Sequence, residues 1–152
     1  MLDQDRDAAA GDRYYDGDDG EIRSYGKAAG AADAKTIVSA VERYYAAAAA
    51  GDGARACALT YYIDVETLPE TYGQPPGPHW LQGAHSCRAV LARVFAHYRR
   101  KLSAPVVVTA TRVQGNHADA LVGFRTLGAG YVKLHREGHA WKVDGLLATP
   151  LP

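Results

Sequence analysis

Two cysteines and two nearby histidines are the first groups in this sequence that could do chemistry. Cys57 and Cys87 are the only cysteines in the chain, and His79 and His85 lie shortly before the second of them. Imidazole and thiolate are good zinc ligands, but a fourth ligand is lacking and the spacing matches no standard zinc template. We therefore expect no metal. For the cysteines, two interpretations stay open: a disulfide that closes a long loop, and two buried thiols that act as small apolar residues.

The clearest helical pattern in the chain carries a pair of adjacent tyrosines. Its apolar residues recur at three- and four-residue steps: Ile37, Val41, Tyr44, Tyr45 and Ala48. This spacing places them on one face of a helix. We expect Asp33 to cap the start of the helix and Gly51 to end it in a left-handed conformation. Asp52 is then placed to cap a second helix, which runs to Leu59.

A loop rich in proline and glycine, residues 69–85, separates these helices from a third. Such a long loop within a domain is often functional, and we expect Trp80 to tie it to the core. Ser86 is a predicted N-cap. After it, an apolar stripe at helical spacing predicts a helix from Cys87 to Leu102, which Pro105 ends.

From Pro105 onward the apolar period changes to two, which is typical of strands. Turn dipeptides at Gly115-Asn116 and Glu137-Gly138 divide this region into hairpins. The sequence therefore predicts an α+β domain, with three helical segments packed on one face of an antiparallel sheet of about four strands.

Composition and charge limit the classes of function. The chain has 152 residues with 47% apolar content and a net charge of zero, so nothing favours binding to nucleic acid. Residues 1–30 hold eight acidic and four basic residues. We interpret them as an acidic, largely flexible extension, followed by one domain at residues 31–152. No apolar run approaches the ~18 residues of a membrane span, so we expect membrane attachment only through an anchor absent from this chain.

Two stretches carry a resemblance to a known family. VERYYAAAAAGDGARACAL (residues 41–59) and REGHAWKVDGLL (residues 136–147), with helices first and a strand meander last, resemble the NTF2-like fold, also called SnoaL-like or ketosteroid-isomerase-like. The resemblance covers about Asp33 to Leu147. It implies a cone in which the helices pack on a curved sheet, a cavity between the first helix and the concave face, and a homodimer formed through the sheet.

The narrower resemblance is to NTF2-like domains of high-GC Gram-positive bacteria, which are often lipoproteins or membrane-anchored. That resemblance favours a disulfide between Cys57 and Cys87, because exported proteins keep disulfides. It also implies an extracytoplasmic location. Two free thiols would instead indicate a cytoplasmic protein.

The isomerase side of the resemblance implies roles for three residues. A steroid isomerase of this fold has a helical tyrosine as oxyanion donor, an aspartate as base and a protonated acid on the sheet. Tyr44 or Tyr45 matches the first role by position and Asp64 the second. The third stays unfilled, since the strand acids Asp119 and Asp144 lie beside turns or polar alternations. The plainer interpretation makes the tyrosines core residues and Asp64 a loop or capping carboxylate.

We therefore expect a non-catalytic small-ligand-binding or accessory domain without a cofactor. The expected ligand is an apolar small molecule in a pocket covered by the 69–85 loop. The residues expected to bind it are Tyr44, Tyr45, Trp80, Phe124 and Trp141. One alternative is a small isomerase, dehydratase or hydrolase that uses Asp64 with Tyr44 or Tyr45. A second alternative is a protein-interaction domain with a filled core.

Overall fold

The structure is a computed structural model that describes residues 25–124 and 128–148. Its helices are α1 (Ala31–Ala49), α2 (Gly53–Ala58), α3 (Tyr62–Tyr72), α4 (Cys87–His97) and α5 (Arg99–Leu102), with a 3-10 turn at His79–Leu81. Its strands are β1 (Lys27–Ala28), β2 (Val106–Gln114), β3 (His117–Phe124), β4 (Gly128–Glu137) and β5 (Ala140–Val143). The predicted α+β class, with helices preceding an antiparallel meander, is confirmed.

The sheet has five strands in the order β1-β2-β3-β4-β5, with every neighbouring pair antiparallel. The prediction of about four strands missed β1, because a strand of two residues has no apolar period. The register of β2 against β3 shifts between Val108 and Ala110, which leaves Thr109 as the extra residue of a bulge. A bulge bends its strand, so β2 bends at Thr109. Residues 25–30 of the predicted extension thus lie against the sheet, and residues 1–24 lie outside the described part.

Helix α1 buries the predicted apolar stripe, including Tyr44 and Tyr45, against the sheet. Its start differs from the prediction: the helix begins at Ala31, with Gly30 as N-cap, and Asp33 lies in the first turn. The Asp33 carboxylate instead contacts two side chains of the sheet. Its Oδ1 accepts a hydrogen bond from Trp141 Nε1 at 3.4 Å, and its Oδ2 lies 3.6 Å from the Arg136 guanidinium.

The caps predicted for the next two helices are confirmed. Asp52 accepts a hydrogen bond from the Arg55 amide at 3.0 Å, and Ser86 accepts one from the Ala89 amide at 3.1 Å. The predicted helix from residue 87 to 102 divides into α4 and α5 at Tyr98.

The predicted 69–85 loop is shorter than expected, because α3 continues through Pro69 to Tyr72. A proline inside a helix removes one backbone hydrogen bond, and here it lies near the end of the helix, where few bonds follow it. The Pro69 carbonyl accepts the closing hydrogen bond from the Gly73 amide at 2.8 Å. What remains of the loop is 73–78 and 82–86, on either side of the 3-10 turn.

Helices α2 and α4 pack closely and are joined covalently. A Cβ built on Gly53 would lie 2.5 Å from the Arg88 carbonyl oxygen, so only glycine fits this crossing. Cys57 and Cys87 form a disulfide with a Cα–Cα distance of 6.2 Å, which confirms the predicted pairing. None of the described helices is both long enough and apolar enough to cross a membrane.

Candidate functional site

The candidate catalytic residues converge on the C-terminal segment, which we define as residues 144–148 after β5. The Tyr44 hydroxyl donates a hydrogen bond to the Leu146 carbonyl. The Ala148 amide donates to the Tyr45 hydroxyl at 2.6 Å, and the Gly145 amide donates to Asp64 Oδ2 at 2.9 Å. We call these three hydrogen bonds the latch.

The latch is possible because α1 presents two adjacent tyrosines to the same segment. Neighbouring residues on a helix point about 100° apart, and the two rings meet edge to face at 5.6 Å. Phe95 of α4 contacts the Tyr44 ring at 6.0 Å. The sequence pattern did not single out Phe95, since it lies beside the strict stripe of α4. Burial raises the pKa of Tyr44 well above its usual value, with smaller contributions from Tyr45 and Asp64.

Asp64 reaches the C-terminal segment from the first turn of α3. Thr60 makes a bridge to Val143, and the Tyr61 amide donates to the Val143 carbonyl at 2.8 Å, so the start of α3 is held at the edge of β5. That placement brings the Asp64 carboxyl to the carboxyl of Asp144. Sequence reasoning had named both acids without predicting that they meet.

The environment of Asp64 raises its pKa from 3.8 to about 7. Burial is the largest cause, followed by the hydrogen bond to Asp144 and by the charge of Asp144, while the Gly145 amide acts in the opposite direction. A hydrogen bond between two carboxyls requires a proton on one of them. The pKa of Asp64 thus lies in the range that suits general acid–base catalysis.

The tyrosines do not complete that chemistry in this arrangement. An oxyanion donor must aim its proton at the reacting oxygen, and the Tyr44 proton is directed at the Leu146 carbonyl. The Tyr45 hydroxyl is occupied as an acceptor by the Ala148 amide. The site thus has a carboxyl group of raised pKa, Asp64, beside two phenols that bind the main chain.

The aromatic residues of the predicted pocket contact different partners. The buried Trp141 lies under the Arg136 guanidinium at 4.3 Å and lines a cleft of about 390 Å³ between α1, α2 and β5. Trp80 stacks on His97 at 3.8 Å. The Phe124 side chain lies outside the described part of the chain. A shared pocket for these residues stays a prediction.

The cysteine and histidine group gives no metal site in the described part of the chain, where no three candidate ligands cluster. The Cys87 sulfur is bonded to Cys57 and so cannot serve as a thiolate ligand.

A second cleft lies on the outer face of the sheet, the face opposite the helices. It has a volume of about 740 Å³. A row of alternating charge crosses this face: Arg112 on β2, Asp119 on β3, Lys133 on β4 and Asp144 directly after β5. The last three of these residues line the cleft. Our sequence analysis missed this row, although the period of two places these residues on one face of their strands.

Comparison with solved structures finds a protein of the NTF2-like family from Streptomyces avermitilis, proposed to be a dehydratase. The two chains are 16% identical, the match covers 77% of this chain and 99% of that chain, and the TM-score is 0.43. A scan with protein-family models and a search of curated proteins gave no match.

Proposed function

We propose that this protein is a non-catalytic small-ligand-binding or accessory domain of the NTF2-like superfamily that works outside the cytoplasm. The observation that carries the proposal is the latch. All three residues that a catalytic function would use, Tyr44, Tyr45 and Asp64, hydrogen-bond to the main chain of the C-terminal segment. Groups that hold the chain together in this way have a structural role, and removing the Tyr44 hydroxyl would cost stability.

The location outside the cytoplasm rests on the disulfide between Cys57 and Cys87. Disulfides persist in oxidising compartments and are rare in the cytosol, where thiols are kept reduced. Membrane attachment, in this proposal, needs an anchor beyond this chain.

The ligand in this proposal is an apolar small molecule, and Trp141 is the predicted pocket residue with an open space beside it. Tyr44, Tyr45, Trp80 and Phe124 complete the proposed lining. A homodimer formed through the sheet remains part of the proposal as a possible assembly.

A thermal-shift screen of apolar small molecules tests the proposal, with each hit then incubated with the protein and followed by NMR. We expect at least one hit, recovered chemically unchanged, and the same shift with the Asp64→Asn variant. No hit at all would overturn the ligand-binding role and favour the protein-interaction alternative.

A second candidate function, that of a small isomerase, dehydratase or hydrolase, is favoured by one observation. The pKa of Asp64, raised to about 7, suits a general acid or base. In this case a hit of the screen would be converted by the wild type and not by Asp64→Asn. Glu66→Gln, an exposed acid on the same helix, serves as the control and would convert it at the wild-type rate.

A further inference from the structure

We propose that the cleft on the outer face of the sheet is a binding site for a saccharide. The inference goes beyond the proposed function, because it concerns the face opposite the latch and the predicted apolar pocket. It rests on the lining of the cleft, on the arrangement of its charges and on its size.

One wall of the cleft is formed by Tyr25 and Gly26, whose backbone is held by the Arg112 side chain. Arg112 Nε donates to the Tyr25 carbonyl at 2.9 Å, and its terminal NH2 donates to the Gly26 carbonyl at 3.2 Å. A Cβ at Gly26 would lie 2.1 Å from the Val113 carbonyl oxygen, so the chain crosses β2 in close contact. These contacts hold Tyr25 at the edge of the cleft, where Tyr131 also contributes to the lining.

The floor carries charges that are close but not paired. Lys133 lies opposite Asp119 in the register of β3 and β4, and the Asp144 amide donates to the Lys133 carbonyl at 2.8 Å. Within the described chain, Lys133 makes no ion pair within 4.0 Å of either carboxylate. Burial raises the pKa of Asp119, while the charges of Lys133 and His117 lower it. A half-buried carboxylate without a hydrogen-bond donor is stabilised when a ligand supplies one.

The chemistry of this lining excludes several ligand classes. An apolar ligand would bury the Asp119 carboxylate and the Lys133 ammonium group without partners, which is costly. Two carboxylates repel a phosphate, and Lys133 disfavours a polyamine. The cleft volume of about 740 Å³ lies within the usual range for small-molecule sites, ~300–1,000 Å³.

A saccharide can hydrogen-bond with the charged groups of this lining and can pack on its aromatic rings. Each hydroxyl is both a donor and an acceptor, so one ring can donate to Asp119 and Asp144 and accept from Lys133. The apolar faces of sugar rings pack on aromatic side chains, and Tyr25 and Tyr131 bring two such rings to the lining. Gln114 and His117 add further polar groups at one end.

Ligand-observed NMR on the whole chain tests the proposal. The probes are glucose, mannose, N-acetylglucosamine, and the cellulose and chitin tetrasaccharides, with spermidine, inorganic phosphate and decanoate as comparison ligands. We expect at least one saccharide to bind with a dissociation constant of ~1 mM or tighter. Asp119→Asn and Lys133→Gln should each weaken that binding about tenfold or more, and Glu42→Gln on the exposed face of α1 should leave it unchanged.

Three results would overturn the proposal. The first is that no saccharide binds at about 10 mM. The second is saccharide binding that both cleft variants retain in full. The third is a homodimer whose interface covers the cleft, seen as a dimer that Asp119→Asn dissociates and that binds none of the saccharides. A homodimer through a part of the sheet that leaves the cleft open agrees with both proposals. None of these results depends on the apolar screen, so the two proposals can fail separately.

Discussion

The two sides of the sheet use polar groups in opposite ways. On the inner side, which faces the helices, the latch joins the hydroxyls of Tyr44 and Tyr45 and the carboxyl of Asp64 to main-chain atoms of residues 145–148. On the outer face, Asp119 and Lys133 line a cleft, and no ion pair joins them. Main-chain partners indicate a structural use of polar groups, whereas side chains that face an open cleft are available to a ligand.

The saccharide site that we propose lies where the sequence analysis placed no functional residue. The residues most suggestive of catalysis, adjacent tyrosines on a helix and a nearby aspartate, lie on the inner side and hold the fold. The residues that look ordinary in sequence, alternating acids and bases of strands, form the cleft. Asp144 is common to both, since its carboxyl meets Asp64 and also lines the outer cleft.

The largest expected change in stability comes from reducing the disulfide of the helix layer, which should leave binding at the outer face intact. Reducing Cys57–Cys87, which are 30 residues apart, should lower the free energy of unfolding by roughly 3–4 kcal/mol, because the unfolded chain is no longer constrained. Urea unfolding with and without reductant measures this. Saccharide binding at the outer face should persist in the reduced protein while it remains folded.

The control for this measurement is the double variant Cys57→Ala with Cys87→Ala, whose stability should not respond to reductant. Equal stability of the oxidised and reduced wild type would contradict the prediction, and it would mean that the close packing of α2 on α4 alone holds the helix layer.

A smaller effect should come from the latch itself. Tyr44→Phe leaves the buried Leu146 carbonyl without its donor, which should destabilise the protein by roughly 1–3 kcal/mol. Tyr62→Phe is the matched control, because Tyr62 is 53% exposed, and it should change stability by less than about 0.5 kcal/mol. Thermal melts compare the two. If Tyr44→Phe behaves like the control, the latch is not structural and the contrast between the two sides fails.

The smallest effect should appear as a pH dependence of stability. The pKa of Asp64 is about 7 in the folded protein and about 3.9 in an unfolded chain. Between these values the folded state binds more protons, so this contribution is complete below about pH 4 and is lost as the pH rises through 7. Asn mimics the protonated acid. Asp64→Asn should therefore stabilise the protein at pH 8 by about 1 kcal/mol, a value discounted for solvent screening of a half-buried group.

Melting curves of Asp64→Asn and wild type should coincide at pH 4 and separate toward pH 8. Glu66→Gln on the same helix should show no such separation. A destabilised Asp64→Asn variant at pH 8 would have the wrong sign, and it would indicate that the ionised carboxylate is what holds Gly145.

Local rules predicted much of the fold and little of the site. The caps at Asp52 and Ser86, the turn at Gly115 and the buried stripe of α1 follow from short-range chemistry, and all are observed. The last turn of α3 was missed because Pro69 suggests a loop, and strand β1 because two residues carry no pattern.

The site depends on contacts across long sequence separations, which periodicity does not report. Nothing near Asp64 in the sequence indicates that its carboxyl will meet Asp144. Part of the outer cleft could have been predicted from the sequence, because the period of two places Asp119 and Lys133 on the same face of their strands. Their opposition requires the register of β3 and β4, which follows from the hairpin geometry.

The latch also has a consequence for the order in which the chain folds. Its two tyrosine contacts join residues separated by 102 and 103 positions, so they are among the most non-local in the molecule. Contacts of this kind form late, because closing a long loop costs entropy before the contact returns any energy. During synthesis, α1 leaves the ribosome long before the C-terminal segment exists. The hydroxyls of Tyr44 and Tyr45 therefore do not have these main-chain partners until residues 146 and 148 are synthesised. Before that point, burying either hydroxyl would cost the free energy of an unmade hydrogen bond.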